Sequence, residues 1–155
     1  MKISLINIVL IDPEIPGNTG NVGRTCIGLD ATLHLVGKIG FSLEDKYLKR
    51  AGLDYWPKIK LEVHSKWEDF LAQVPQGTQM HFFSTHGTVP FWDKKFAPPV
   101  FLIFGSEGHG FPKNFYETYK SDLVKIPVTE NIRSLNLATA VGAAAFEAAR
   151  QLKFH

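Results

Sequence analysis

Short apolar runs alternate with segments of mixed polarity along the whole chain. Residues 5–11 are apolar apart from Asn7, the pattern of a strand covered on both faces. Similar runs over 32–36, 59–64, 80–84, 100–104 and 123–126 bring the predicted strands to six. Between them, residues 17–24 read as a glycine-rich loop leading into a helix that ends near Asp30. Ser42-Leu43-Glu44-Asp45 has capping-box spacing and predicts a helix to about Ala51. Ser65-Lys66-Trp67-Glu68 repeats that signal and predicts another, which Pro75 stops. From about Ser134 the chain turns helical to near its end, with Ala138, Val141, Ala145, Ala148 and Leu152 at helical spacing. Its alanines and Gly142 allow a neighbour to approach closely. No repeat or linker interrupts the alternation, so the expectation is a single α/β domain over 1–155, a mostly parallel sheet flanked by helices.

Composition narrows the picture only slightly. Hydrophobic residues are 45% and charged residues 21% of the 155, ordinary globular usage that argues against disorder. A net charge of +2 gives no argument for nucleic acid, yet a local patch on a dimer would suffice for RNA. The single cysteine, Cys26, excludes an internal disulfide and cannot build a zinc cluster alone; it reads as a buried small hydrophobe. The N-terminal apolar run is broken by Asn7 and ends at Asp12-Pro13, unlike a signal peptide, and no apolar run of about 18 residues could span a membrane. The expected setting is soluble, reducing and cytoplasmic, with no membrane or DNA partner.

Three segments at strand ends or before the last helix carry the candidate chemistry: 17–24, 105–110 and 126–136. Ligands of open α/β sheets sit outside the carboxyl ends of strands. The first segment spaces its glycines three apart, unlike the dinucleotide G-x-G-x-x-G, and the second lacks the G-K-[ST] ending of a phosphate loop. Each is a place where backbone can meet a ligand, or simply a tight turn. His109 lies within the second loop, where a histidine pKa suits base work, though a catalytic role is not assigned to it. His34, His64 and His81 alternate with apolar neighbours in predicted strands and read as structural. No metal-ligand spacing is present along the chain, and no metal is expected.

The combination is more specific than its parts. Asn18-Thr19-Gly20-Asn21-Val22-Gly23-Arg24, then Phe104-Gly105-Ser106-Glu107-Gly108-His109-Gly110-Phe111-Pro112, then Ile126-Pro127 through Ser134-Leu135-Asn136-Leu137 resemble the three signature motifs of the SPOUT methyltransferases, in the order and spacing of the SpoU branch. The short chain, Pro13-Glu14-Ile15-Pro16 ahead of the first motif and Lys49-Arg50-Ala51-Gly52-Leu53-Asp54-Tyr55-Trp56 are similar to the members that act on the wobble nucleotide of certain tRNAs. The resemblance covers the whole chain, with no added RNA-binding domain at either end.

The resemblance implies a C-terminal trefoil knot, which general topology rules would reject, and S-adenosylmethionine as methyl donor, with a ribose 2′-hydroxyl at the tRNA wobble position as acceptor. It implies cofactor contacts from Phe83, Gly105, Gly110, Ile126, Ser134 and Leu135, largely through the backbone. Arg24 becomes the first catalytic candidate, positioning phosphate and ribose through its planar donor fork rather than serving as a base. Asn18 and Asn136 are candidates to orient substrate, and either can instead cap a helix. Glu107 can hold Arg24 or a backbone amide. Lys46, Lys49, Arg50, Tyr55 and Arg133, with Trp56, are candidates for contact with an anticodon stem-loop, by phosphate neutralisation and base stacking. A homodimer through the last and first helices is implied as well. Three alternatives stand beside this: methylation at another tRNA position or in rRNA, a knot protein that binds without catalysis, and a nucleotide-dependent oxidoreductase, which the glycine spacing disfavours.

Overall fold

The computed structural model describes residues 3–152, apart from the side chains of residue 49 and residues 51–54. Its strands are β1 (Ile6–Ile11), β2 (Thr32–Val36), β3 (Lys60–His64), β4 (Gln79–Phe83), β5 (Val89–Pro90), β6 (Val100–Phe104) and β7 (Leu123–Lys125). Its helices are α1 (Pro16–Gly28), α2 (Lys46–Gly52), α3 (Trp67–Leu71), α4 (Phe115–Thr118) and α5 (Leu137–Leu152). The strands form one sheet in the order β3-β2-β1-β6-β4-β7-β5, and each neighbouring pair is parallel. Every residue of β1, β2 and β6 is buried, which is why these strands lack the alternation of a half-exposed sheet.

The two faces of the sheet are covered differently. Ile6, Ile8 and Leu10 of β1 point into a core completed by Val22 and Cys26 of α1 and by Val141, Ala144, Ala145, Ala148 and Ala149 of α5. Val9 and Ile11 point to the other face, an aromatic core of Phe70, Phe82, Phe101, Phe111 and Phe115. The alanines of α5 let its backbone lie close to the sheet. Cys26 behaves as the small hydrophobe expected, since burial pushes its thiol pKa up to about 12. Burial likewise holds His34 and His81 neutral, each with its pKa pushed down to about 4.

Several expectations are corrected. Residues 17–24 are helix, not loop, because Pro16 supplies a preset φ at the first helical position and the following glycines continue the turn. A seventh strand, β5, is only two residues long and carries too little pattern to read. The second helix starts at Lys46, where Asp45 Oδ1 accepts from Tyr47 N at 2.7 Å and so takes the capping role expected of Ser42. No side chain caps α3, and it ends at Leu71, before Pro75 can act. The last helix begins at Leu137 rather than Ser134. No helix among the described residues is long and apolar enough to cross a membrane.

Candidate active site

The sheet brings the carboxyl ends of β4, β6 and β7 together beside the N-termini of α1 and α5. A chain of hydrogen bonds joins the three motif segments there. Asn136 Oδ1 accepts from Ala138 N at 2.9 Å and Thr139 N at 3.3 Å, capping α5. Asn136 Nδ2 donates to Asn18 Oδ1 at 3.1 Å, and Asn18 Nδ2 donates to Glu107 Oε2 at 3.2 Å. Glu107 also accepts from the backbone N–H groups of Glu14 and Ile15, both at 2.9 Å. These lie at the start of α1, which has no side-chain cap of its own, so a carboxylate 92 residues away fills that place and meets the positive end of the helix. Glu14 reciprocates: its Oε1 accepts from Gly108 N at 2.7 Å, the main reason its pKa is lowered.

Every orientation in this chain is fixed by its neighbours. The Glu107 carboxylate can only accept, so Asn18 must turn its amide nitrogen toward it and its oxygen toward Asn136. Each of the two asparagine NH₂ groups then keeps one N–H beyond these bonds. Asn18 thus sits two residues past the helix start as a bridge, not a cap, whereas Asn136 is both cap and bridge.

Above the chain lies a cavity of about 450 Å³, within the usual range for small-molecule sites. Phe83, Phe104, Ile126, Leu135 and Leu137 give it apolar walls, and Asn18, Ser84, Glu107, Arg133, Ser134 and Asn136 give it a polar rim. The arrangement suits a ligand with a flat apolar group and a polar tail. Gly105 and Gly110 line the same space, and Ser106 pairs with Gly110 through two 3.0 Å backbone bonds. A Cβ on Gly105 would collide with the Gly110 carbonyl, and Gly110 has a φ of 69°. Both glycines are therefore required first by the loop's own geometry. Gly87 is similar: a Cβ there would lie 2.7 Å from the Val124 oxygen of β7.

The cavity thus gathers Asn18, Phe83, Gly105, Glu107, Gly110, Ile126, Arg133, Ser134, Leu135 and Asn136 from the sequence candidates, and leaves Arg24, Lys46, Arg50, Tyr55 and Trp56 outside it. Arg24 is exposed on α1, with its guanidinium 5.7 Å from the centre of the Tyr55 ring; it does not meet Glu107. Lys46 and Arg50 converge instead on Tyr47, at 5.2 and 5.9 Å, an exposed aromatic that the sequence reading passed over. The side chain of Lys49 lies outside the described residues. Trp56 is partly buried over Gly23, where an added Cβ would press on its ring. Glu14 was also missed; its spacing of 93 residues from Glu107 offered no local signal.

The comparisons with known proteins agree on one family. The model of the SpoU rRNA Methylase family matches residues 5–146. A Burkholderia ambifaria protein named tRNA (cytidine(34)-2′-O)-methyltransferase is 41% identical over 152 residues, covering 97% of this chain and 97% of its own. A solved structure described as giving insight into the 2-OH methylation of C/U34 on tRNA is 43% identical, with 97% of each chain covered and a TM-score of 0.92. An AdoMet-bound rRNA methyltransferase from Sinorhizobium meliloti is 29% identical with a TM-score of 0.84, over 97% of this chain and 58% of that one.

Proposed function

The chain belongs to the SpoU rRNA methylase family, and from that membership we propose that it methylates the ribose 2′-oxygen of nucleotide 34, the wobble position of tRNA. The observation that carries this reading is the hydrogen-bonded chain from Asn136 through Asn18 to Glu107, which unites the three motif segments at one cavity. The names of the Burkholderia ambifaria relative and of the 43% identical structure support the acceptor position.

S-adenosylmethionine suits the cavity, and when bound it supplies an electrophilic methyl group on a sulfonium. Phe83, Gly105, Ile126 and Leu135 offer main-chain groups and apolar walls for the adenosine, with Gly110 and Ser134 beside them. The remaining N–H of Asn18 and of Asn136 is free to orient the ribose. Arg24 anchors the flanking phosphate through its planar fork, which also lowers the cost of alkoxide character on the 2′-oxygen. Holding that oxygen in line with the methyl carbon supplies much of the acceleration.

This domain offers its own groups for RNA contact. Arg133 at the cavity rim, Lys46 and Arg50 around Tyr47, and Arg24 beside Tyr55 pair cations with aromatic faces, as unpaired anticodon bases and their phosphates require. Lys49 belongs to the same segment. Arg24 lies outside the cavity of its own chain, and a homodimer through α1 and α5 extends the RNA surface; Phe146, 57% exposed on α5, supports that interface. The segment after β7 is threaded as a trefoil knot in this reading. It is supported by the position of β7 between β4 and β5, tight against the 84–88 connection, where Ser84 N donates to Val124 O at 2.9 Å. The enzyme works in the cytoplasm with its tRNA.

The test is transfer of a labelled methyl group from S-adenosylmethionine to unmodified bulk tRNA, with the product nucleoside mapped. Label in a 2′-O-methylated nucleotide 34 is expected. Label confined to rRNA or to another tRNA position would overturn the acceptor assignment.

A further inference from the structure

Away from the cavity, at the β2–β3 edge of the sheet, three lone-pair-bearing atoms converge. His34 Nδ1 lies 3.2 Å from Glu62 Oε2 and 3.3 Å from His64 Nε2, and all three lie within 4.8 Å of one another. The linear spacing shows none of this. Parallel register sets His34 opposite Glu62 and puts His64 one same-face position further along.

Asn7 orients this cluster from behind. Asn7 Nδ2 donates to the carbonyls of Ser4 (2.8 Å) and Val100 (3.3 Å), which leaves Asn7 Oδ1 as an acceptor facing His34 Nε2 at 3.4 Å. With Nε2 donating to Asn7 Oδ1, His34 presents its Nδ1 lone pair toward Glu62 and His64. In that arrangement the two acceptors 3.2 Å apart are relieved by a cation near both. His34 is buried, with Phe70 edge-on to its ring, so its place in the cluster is fixed by packing. A proton on His64 Nε2 can satisfy His34 Nδ1 or Glu62, but not the contact between them. Lys60, two residues before Glu62, is held by Asp30 at 2.6 Å.

We infer that His34 Nδ1, His64 Nε2 and Glu62 Oε2 form a zinc site that clips the edge strand β3 to β2. Two imidazoles and one carboxylate are a common donor set for Zn²⁺, and metal–ligand bonds of about 2.0–2.1 Å in a tetrahedron put ligand atoms about 3.3 Å apart. The spacings of 3.2 and 3.3 Å match that edge. Asn7 is the outer partner that orients a metal-binding histidine through its other ring nitrogen. His34 and Glu62 line a cavity of about 210 Å³, which leaves room for water at the fourth position.

The test uses the tag-free full-length chain, freed of metal with a chelator and then titrated with Zn²⁺ by calorimetry and with Co²⁺ by visible absorption. One Zn²⁺ per chain is expected, with an intense Co²⁺ spectrum of tetrahedral type and a higher unfolding temperature in zinc. Glu62→Gln, at a half-buried edge position, keeps the shape of the side chain and should weaken Zn²⁺ by about tenfold or more, as should His64→Gln. Unchanged affinity in a folded variant of either kind would overturn the site. Should neither variant fold, the wild-type Co²⁺ titration decides, and no saturable tetrahedral spectrum there would overturn it equally.

Discussion

Two polar clusters in this small domain are solved in different ways. At the carboxyl ends of the strands, Asn136, Asn18 and Glu107 give every acceptor oxygen a donor, and the sequence of amide, amide and carboxylate closes on the backbone at the start of α1. At the β2–β3 edge, His34, His64 and Glu62 bring three possible ligand atoms within 4.8 Å of one another. The first cluster is complete within the chain, so its spare N–H groups are available to a substrate. The second is not, so a cation completes it.

The largest expected effect lies at a residue outside both clusters. Arg24→Ala should lower methyl transfer on the order of a hundredfold or more while S-adenosylmethionine binding largely survives, because the side chain is exposed and lies outside the cavity. Parallel turnover and cofactor titrations check this, and wild-type turnover would remove the assignment. Gly105→Val should abolish measurable cofactor binding by a route that begins in the loop itself, since its Cβ meets the Gly110 carbonyl. Unchanged titration affinity would show that the loop does not face the cofactor.

Glu107→Ala removes the acceptor of three donors together, the N–H groups of Glu14 and Ile15 and the amide of Asn18. A loss of about 2 kcal/mol is expected in urea unfolding, since water replaces part of what a charged acceptor gave. An equally stable variant would mean that this chain of bonds holds nothing together. The smallest effect concerns pH. His81 is buried with its pKa pushed down to about 4, against an unfolded value near 6.5. Between these values the unfolded chain binds more protons, so stability falls as pH drops through that window. His81→Leu should flatten this part of the stability–pH curve, as followed by urea midpoints at a series of pH values. An unchanged slope would assign the effect to other groups.

What the sequence disclosed follows the range of each interaction. β1, β2 and β6 were legible because burial on both faces writes continuous apolar runs into short stretches of chain. The cavity residues were legible through their motifs, down to Phe83, Ser134 and Leu135. The helix from Pro16 was not, as glycines at 17, 20 and 23 argue for a loop; what outweighs them is Pro16 at the first helical position and packing of Gly23 beneath Trp56 and Ile59. The pairing of Glu14 with Gly108 and of Glu107 with the start of α1 depends on a register set by β1 and β6. The histidine cluster depends likewise on β2 and β3. Such long-range registers place residues some 30 to 120 positions apart in contact, and no local pattern carries them.

The most direct test of the proposed chemistry uses two tRNAs that differ at one atom. One carries an ordinary ribose at nucleotide 34 and the other a 2′-deoxyribose there, with all else identical. Incubated with this protein and labelled S-adenosylmethionine, the first should take up methyl label and the second none. Equal labelling of both would contradict the account, because the acceptor would then not be the wobble 2′-oxygen.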